Sequence, residues 1–184
     1  RKIRIRQPAW PVKTIVEPAS EIHDLAAAIS AEPGRKFVFR PRTQADTARL
    51  YNAFISNNSF PIVFIVPDNA DIKPLAALIP EQLRDTTVLF HSQLNKNQLY
   101  DAYLKTKYEK SDIIIVTKLA VFLPLRQPKY IIIDQADEYG HKQSDQNPRY
   151  DVRTTAAKLS RLHQAALVYV TPAPALTMYH SIRQ

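Results

Sequence analysis

The sequence YIIIDQAD, residues 130–137, decides the fold, because an apolar run leads directly into acidic residues. A run rich in β-branched isoleucine is typical of a strand that is buried on both faces of a parallel sheet. In such sheets, ligands bind beyond the carboxyl ends of the strands. The stretch therefore predicts a central strand with a candidate site at Asp134, Gln135 and Asp137.

Strand and helix patterns alternate on both sides of this stretch. The other predicted strands cover residues 37–40, 61–66, 86–90, 112–116 and 166–170, and the predicted helices cover 21–30, 44–56, 72–84, 96–108 and 151–163. A short LAVF element at 119–122 and a polar loop over 138–149 complete the pattern. This alternation predicts an α/β fold in three layers, with a mostly parallel sheet and helices on both faces.

Length and composition indicate one globular domain. The chain has 184 residues, of which 45% are hydrophobic and 23% charged. Residues 1–20 are basic and contain prolines, so we expect an extended arm or linker there and the domain over 21–184. No apolar run reaches the roughly 20 residues that span a bilayer, and we expect no membrane partner. The absence of cysteine excludes disulfides and thiolate metal sites, and it fits a cytoplasmic protein.

Charge and glycine content give two further indications. The formal net charge is +8, from 25 Lys and Arg against 17 Asp and Glu, which favours a polyanionic partner, nucleic acid before membrane. The alternative is that this charge is simply solvated. Gly34 and Gly140 are the only glycines, where average usage predicts roughly a dozen. A glycine-rich phosphate loop is therefore not expected.

Short motifs follow the predicted strands in a definite order. They are HSQLN from residue 91, VTKLAVF from 116, IIIDQAD from 131, HKQ from 141, PRYDVR from 148 and TPAPAL from 171. Their order and spacing resemble the first motor lobe of the primosomal replication-restart helicases (the PriA family), which are superfamily 2 DNA helicases. The resemblance covers residues 21–184.

This resemblance implies a RecA-like fold of the P-loop NTPase class. It also implies that single-stranded or forked DNA and replication-restart or primosome proteins are partners, that a second helicase lobe follows, and that the protein lies with the bacterial nucleoid in the cytoplasm. Relatives carry a zinc-binding cysteine cluster beyond this segment, so its absence suggests a fragment or a reduced version. We expect no metal site in this chain.

The phosphate-binding segment departs from the family pattern. By position, Asp46 stands where the family has the phosphate-binding lysine, and Thr47 alone keeps the hydroxyl that would hold magnesium. A negative charge there repels a triphosphate, by several kcal/mol at about 4 Å and an effective dielectric near 20. Thr43 and Asp46 also have the T-x-x-D spacing of a capping box, and we prefer this interpretation: the carboxylate closes the helix terminus that an ATPase leaves open.

Two other motifs of the resemblance are altered. Asp134 keeps the magnesium position, but Gln135 replaces the glutamate that positions the attacking water, and an amide cannot accept a proton as a carboxylate does. Thr171, Pro172 and Ala173 stand in place of Ser-Ala-Thr. We therefore expect Asp134, Gln135 and Asp137 to be vestigial, no ATP hydrolysis, and no cofactor; ATP and magnesium would bind only if the site is functional after all.

The nucleic-acid side of the resemblance is better preserved. The predicted DNA contacts are polar, basic or aromatic residues of the strand-end loops and of the segment 139–153. They are Lys73, Asn95, Lys96, Thr117, Lys118, Tyr139, Lys142, Arg149, Tyr150 and Arg153. Aromatic residues interleaved with basic ones, here including His141, suit base stacking with phosphate pairing. The alternative is that Tyr150 packs in the core and the charges are solvated.

Three hypotheses remain open from the sequence. The first is a DNA-binding lobe of a PriA-like protein without motor activity. The second is an active ATP-dependent helicase domain with an unusual phosphate loop, which the missing glycines oppose. The third is a protein–protein adaptor that keeps only the fold.

Overall fold

A computed structural model describes residues 15–16, 22–145, 147–175 and 178. In this part of the chain, seven strands form one parallel sheet: β1 Ile15–Val16, β2 Lys36–Phe39, β3 Ile62–Ile65, β4 Thr87–Phe90, β5 Ile113–Val116, β6 Tyr130–Ile133 and β9 Ala166–Val170. Their order across the sheet is β1-β2-β9-β6-β3-β5-β4. The three-layer parallel α/β fold predicted from the sequence is confirmed.

Five helices are described, together with a small second sheet. The helices are α1 Ile22–Ser30, α2 Gln44–Ser56, α3 Ile72–Ala76, α4 Lys96–Tyr108 and α5 Val152–His163. The antiparallel pair β7 Lys142–Gln143 and β8 Tyr150–Asp151 lies within and just after the predicted polar loop. LAVF is part of the 3-10 turn Lys118–Phe122.

Each face of the sheet is covered by its own apolar cluster. Alternate side chains of each strand point to opposite faces, so Phe64 and Ile132 pack with α1, α2 and α3, whereas Ile65 and Ile133 pack with α4 and α5. All four residues of β6 are buried, with at most 1% exposure. The prediction that YIII is a fully buried central strand is therefore confirmed.

The predicted helix over 72–84 is wrong. Helix α3 ends at Ala76, and a separate 3-10 turn covers Glu81–Leu83. Pro80 stands between them and has no N–H to continue a helix, and it also disfavours helical backbone at the residue before it. The apolar spacing of Leu75 and Ile79 survives, since both side chains are buried.

The predicted basic arm, residues 1–20, lies outside the described residues except for β1. Ile15 and Val16 pair in parallel with Val38 and Phe39 of β2 at the edge of the sheet. Among the described residues, no helix is both long and apolar enough to cross a bilayer. In the same part of the chain, no group of three or more His, Asp or Glu side chains could hold a metal ion.

The sheet order determines which loops meet. Strand β6 lies between β9 and β3, and β9 separates it from β2. Because all these strands are parallel, the loops after β2, β9, β6 and β3 lie along one edge of the sheet. The segments that begin at Arg40, Thr171, Asp134 and Val66 are thereby neighbours.

Candidate functional site

The loop after β2 ends in a closed helix terminus. Thr43, the N-cap of α2, accepts a hydrogen bond from the N–H of Asp46 at 3.2 Å. In return, Asp46 Oδ2 accepts from the N–H of Thr43 at 3.0 Å and from the N–H of Arg42 at 3.2 Å. The predicted capping box is confirmed. Two backbone N–H groups at this terminus, those of Arg42 and Thr43, are therefore bonded to an internal carboxylate.

Asp46 is held in its ionised form. Burial, with 8% of the residue exposed, acts to raise the pKa of its carboxyl, but the hydrogen bonds from Thr43 and Arg42 outweigh burial and lower the pKa below its ordinary value. The exposed Arg49 guanidinium lies 3.5 Å from Asp46 Oδ1 and acts in the same direction. The helix terminus therefore carries its own anion.

Asp134, at the end of β6, is bonded to Tyr51 of α2. The Tyr51 hydroxyl donates to Asp134 Oδ1 at 2.5 Å, and the Gln135 amide lies 3.5 Å from Oδ2. Burial raises the pKa of the Asp134 carboxyl; these two hydrogen bonds oppose the rise, and the charge of Asp71 adds to it. Burial, followed by the charge of Asp134, also raises the pKa of Tyr51 well above its ordinary value. Both oxygens that could hold magnesium thus already have donors within the protein.

Gln135 joins two carboxylates. Its amide donates to Asp71 Oδ1 at 3.2 Å as well as facing Asp134, and its backbone is left-handed, with φ of 44°. A glutamate at this position would place a third carboxylate between Asp71 and Asp134, without a proton to donate. Gln135, which stands where the family pattern has a glutamate, therefore supplies a donor to these two carboxylates.

The loop after Asp137 folds back against the end of β6. His141 Nε2 lies 2.7 Å from the carbonyl oxygen of Asp134, and a carbonyl only accepts, so Nε2 donates. The imidazole is fully buried, and burial lowers its pKa, which keeps it neutral. Gly140 is required by a close approach: a Cβ there would lie 2.7 Å from the carbonyl oxygen of Pro67.

The loop after β9 is tied to the loop after β6. The hydroxyl of Thr171, which is fully buried, donates to Asp137 Oδ1, and the N–H of Ala136 donates to the carbonyl of Val170 at 2.9 Å. Although the Ser-Ala-Thr sequence is lost, a hydroxyl-to-carboxylate link between these loops is therefore present.

The space between these loops is small. A cavity of about 240 Å³ lies among Pro41, Arg42, Thr43, Gln44, Thr47, Asp134, Gln135, Val170 and Pro172. Ligand pockets usually range from about 300 to 1,000 Å³. Asp46 lies at the helix terminus, and Asp134, which borders the cavity, accepts a hydrogen bond from Tyr51.

The predicted DNA contacts differ in their accessibility. Six of them are exposed, namely Lys73, Asn95, Lys96, Tyr139, Lys142 and Arg149. Lys73 and Lys96 follow β3 and β4 on one side of β6, whereas Tyr139 and Lys142 border a groove with β9 on the other side. The structure therefore divides the exposed candidates between two places rather than gathering them at one.

Several predicted contacts are bonded or buried within the protein itself. Asn95 caps α4, with its Oδ1 accepting from the N–H of Gln98 at 2.9 Å. Thr117 is only 6% exposed, so its side chain does not fit the surface contact that we predicted for it. Lys118 is half-buried, and its carbonyl accepts a hydrogen bond from the hydroxyl of Tyr150 at 2.9 Å.

Tyr150 and Arg153 are also engaged. The ring of Tyr150 packs edge-on against Phe122, with centroids 5.9 Å apart, as the alternative of a packed Tyr150 requires. The Arg153 guanidinium donates to both oxygens of Asp151, at 2.8 and 2.7 Å, and to the carbonyl of Ala136 at 2.9 Å. It therefore fixes the start of α5 to the loop after β6.

The predictions from the sequence included neither Tyr51 nor Asp71. A signal was available, because a buried tyrosine hydroxyl usually finds a partner, and the adjoining strand end supplies Asp134. Asp71 gave no comparable signal, since its contact with Gln135 depends on where the loop after β3 lies.

No protein-family model matches the sequence. Curated relatives match it, among them replication restart proteins PriA from Synechocystis sp. at 26% identity over 67% of this chain, Buchnera aphidicola at 28% over 66%, and Thermotoga maritima at 21% over 79%. The matches span 15%, 17% and 20% of these relatives, so the chain corresponds to a small part of each. The chain is similar to a segment of PriA, at a distant relationship.

Solved structures match the fold. Two structures of the C-terminal domain of the DEAD-box protein Dbp5, one of them from S. cerevisiae, align with TM-scores of 0.52 and 0.54. They share 11% and 10% identity with this chain, cover 83% and 79% of it, and are themselves covered to 84% and 81%. The fold is RecA-like, as predicted. The assignment to a first lobe rests on motif order and stays a prediction.

Proposed function

We propose that this chain is the DNA-binding lobe of a PriA-like replication-restart protein and that it does not hydrolyse ATP. The similarity to PriA supports the replication-restart role, and the RecA-like fold supports a helicase-type lobe. The observation that carries the loss of hydrolysis is the Asp46 carboxylate, which accepts hydrogen bonds from the N–H groups of Arg42 and Thr43. A triphosphate would have to displace this anion from the helix terminus.

Three separate features support the loss of hydrolysis. Asp46 replaces a cation with an anion at the phosphate position, Gln135 offers no carboxylate to position water, and Asp134 is engaged by Tyr51 and Gln135. We therefore propose no cofactor and no catalytic residue for this lobe. Reversal of one feature leaves the other two in place.

DNA binding is supported by charge and by exposed side chains. The chain has a net charge of +8, and Lys73, Lys96, Tyr139, Lys142 and Arg149 are accessible. Backbone phosphates contribute a large part of the affinity of such proteins, and this part weakens as salt rises. Forked or single-stranded DNA is the proposed ligand, in the bacterial cytoplasm, with replication-restart proteins and a second helicase lobe as partners.

Nucleotide binding and DNA binding are measured in separate experiments. Isothermal titration with ATP and magnesium, with and without single-stranded DNA, is expected to show no saturable binding at millimolar nucleotide, and no phosphate release is expected. Fluorescence anisotropy with forked DNA is expected to show binding that weakens steeply as salt increases. DNA-stimulated ATP turnover that disappears in Asp134→Ala would contradict the proposal. Undetectable binding to forked or single-stranded DNA at low salt would contradict the proposed DNA binding.

A further inference from the structure

A basic groove runs along α5 on the side of β6 that faces β9. It has a volume of about 770 Å³, which is the size of a ligand-binding cleft. The described residues that border it include five cationic side chains, Lys36, Lys142, Arg153, Lys158 and Arg161, and two carboxylates, Asp137 and Asp151. The groove is thus far more positive than the chain average.

The two carboxylates offset two of the five positive charges, and both already have partners within the protein. Asp151 is engaged by Arg153 through two hydrogen bonds, and Asp137 accepts the hydroxyl of Thr171. Burial lowers the pKa of Lys36, at the start of β2, and the positive charge of Arg161 lowers it further. Lys36 and Arg161, which both border the groove, therefore act on each other as like charges.

The helix spaces its basic side chains along the groove. Lys158 and Arg161, which both border the groove, are three residues apart on α5, or about 4.5 Å at 1.5 Å per residue. A stacked nucleic-acid strand places a phosphate about every 3.4 Å, so these two cations can face adjacent phosphates. The spacing suits a chain of phosphates better than a single phosphate group.

An exposed aromatic ring stands at the end of the groove near the carboxyl edge. Tyr139 is 65% exposed, and Lys142 Nζ lies 5.6 Å from the centre of its ring. Bases of any sequence can stack on such a ring, because every base has a π-face. A ring for a base and a row of cations for phosphates are the two components of a single-strand binding site.

We propose that a single nucleic-acid strand lies along α5 in this groove, with a base stacked on Tyr139 and phosphates facing Lys36, Lys158 and Arg161. This inference rests on the proposed DNA binding and specifies its route. The route differs from one over the loops after β3, β4 and β5, where Lys73, Lys96 and Lys118 were predicted from the sequence. It also adds three residues that the motif comparison did not select.

The experiment compares two triple variants with the same change in charge. One removes the groove cations, as Lys36→Ala with Lys158→Ala and Arg161→Ala, and the other replaces Lys73, Lys96 and Lys118 by alanine. A third variant replaces Arg84, Lys105 and Arg126, which border neither place, and reports the effect of net charge alone. Circular dichroism checks that each variant folds, and anisotropy with a short oligonucleotide gives Kd at several salt concentrations.

We expect the groove variant to lose at least about tenfold in affinity and to reduce the slope of log K against log salt by about 2, since each phosphate contact contributes about 0.7 on single strands. In an oligonucleotide that contains 2-aminopurine, Tyr139→Ala should abolish fluorescence quenching that Tyr139→Phe retains. Equal losses of affinity in all three triple variants, or a loss confined to the variant at Lys73, Lys96 and Lys118, would contradict the proposed route along the groove. Neither result would contradict the proposed DNA binding. Failure of the unaltered protein to bind any strand would instead overturn the proposed function itself.

Discussion

Tyr51 and Asp134 are joined by a hydrogen bond of 2.5 Å between the phenolic oxygen and Oδ1, across 83 residues of sequence. The bond connects helix α2 to the end of the central strand β6. It places a donor against the carboxylate that a nucleotide-dependent lobe would keep for magnesium. The same bond makes Asp134 a structural residue of this protein.

Replacement of Tyr51 by phenylalanine should therefore destabilise the fold. The half-buried Asp134 carboxylate loses its donor, and we expect the free energy of unfolding to fall by about 1–3 kcal/mol at neutral pH, measured by urea denaturation. Burial already raises the pKa of Asp134, so the deficit should shrink as pH falls and the carboxyl becomes protonated. The exposed Tyr100→Phe is the matched control. In an Asp134→Asn background, the cost of Tyr51→Phe should decrease; an unchanged cost would contradict this account.

Restoration of the glutamate of the family pattern should not restore activity. Gln135→Glu places a carboxylate between Asp71 and Asp134 and removes the amide that donates to both. We expect no phosphate release from ATP and a lower melting temperature, because a donor is replaced by a like charge beside two carboxylates. Gln143→Glu, in the small second sheet, provides a control for the added charge. A stable variant that turns over ATP would show that Gln135 alone had suppressed hydrolysis.

Asp46 should make stability depend on acid pH. Its pKa is lowered in the folded protein, because the hydrogen bonds outweigh burial, so its contribution is present above the ordinary carboxyl pKa. This contribution is lost as pH falls through the lowered value. Asp46→Asn should therefore flatten the stability profile in this acid window, measured by thermal unfolding between about pH 2 and pH 6. The exposed Asp101→Asn on α4 should leave the profile unchanged; equal flattening in both variants would exclude a specific role for Asp46.

Gly140 should not tolerate a side chain. In Gly140→Ala, the new Cβ would meet the carbonyl oxygen of Pro67, and relief requires the loop or its neighbour to move. We expect a loss of about 1–3 kcal/mol in the free energy of unfolding, as for other overpacked sites. His141 adjoins this position and donates to the carbonyl of Asp134, so hydrogen exchange at the end of β6 should quicken. Stability equal to that of the unaltered protein would indicate that the loop accommodates the methyl group.

Parts of the site that lie close together in sequence could be predicted. Thr43 and Asp46 form their capping box within one helical turn, because the reciprocal bonds depend only on local backbone geometry. The parallel fold could also be predicted, since apolar strands that alternate with helices have few ways to bury their side chains. The prediction of a longer α3 failed for a local reason too, because Pro80 has no N–H to continue a helix.

The tertiary structure alone decided which distant residues meet. The contacts of Tyr51 with Asp134, Gln135 with Asp71 and Thr171 with Asp137 depend on strand order and on the path of loops. The groove likewise depends on β2 lying beside β9, which brings Lys36 near Arg161 on α5. The sequence by itself determined the parallel sheet and the closed helix terminus, since these follow from side-chain periodicity and local hydrogen bonding. Long-range pairing is set by packing over the whole chain, and no local pattern encodes it.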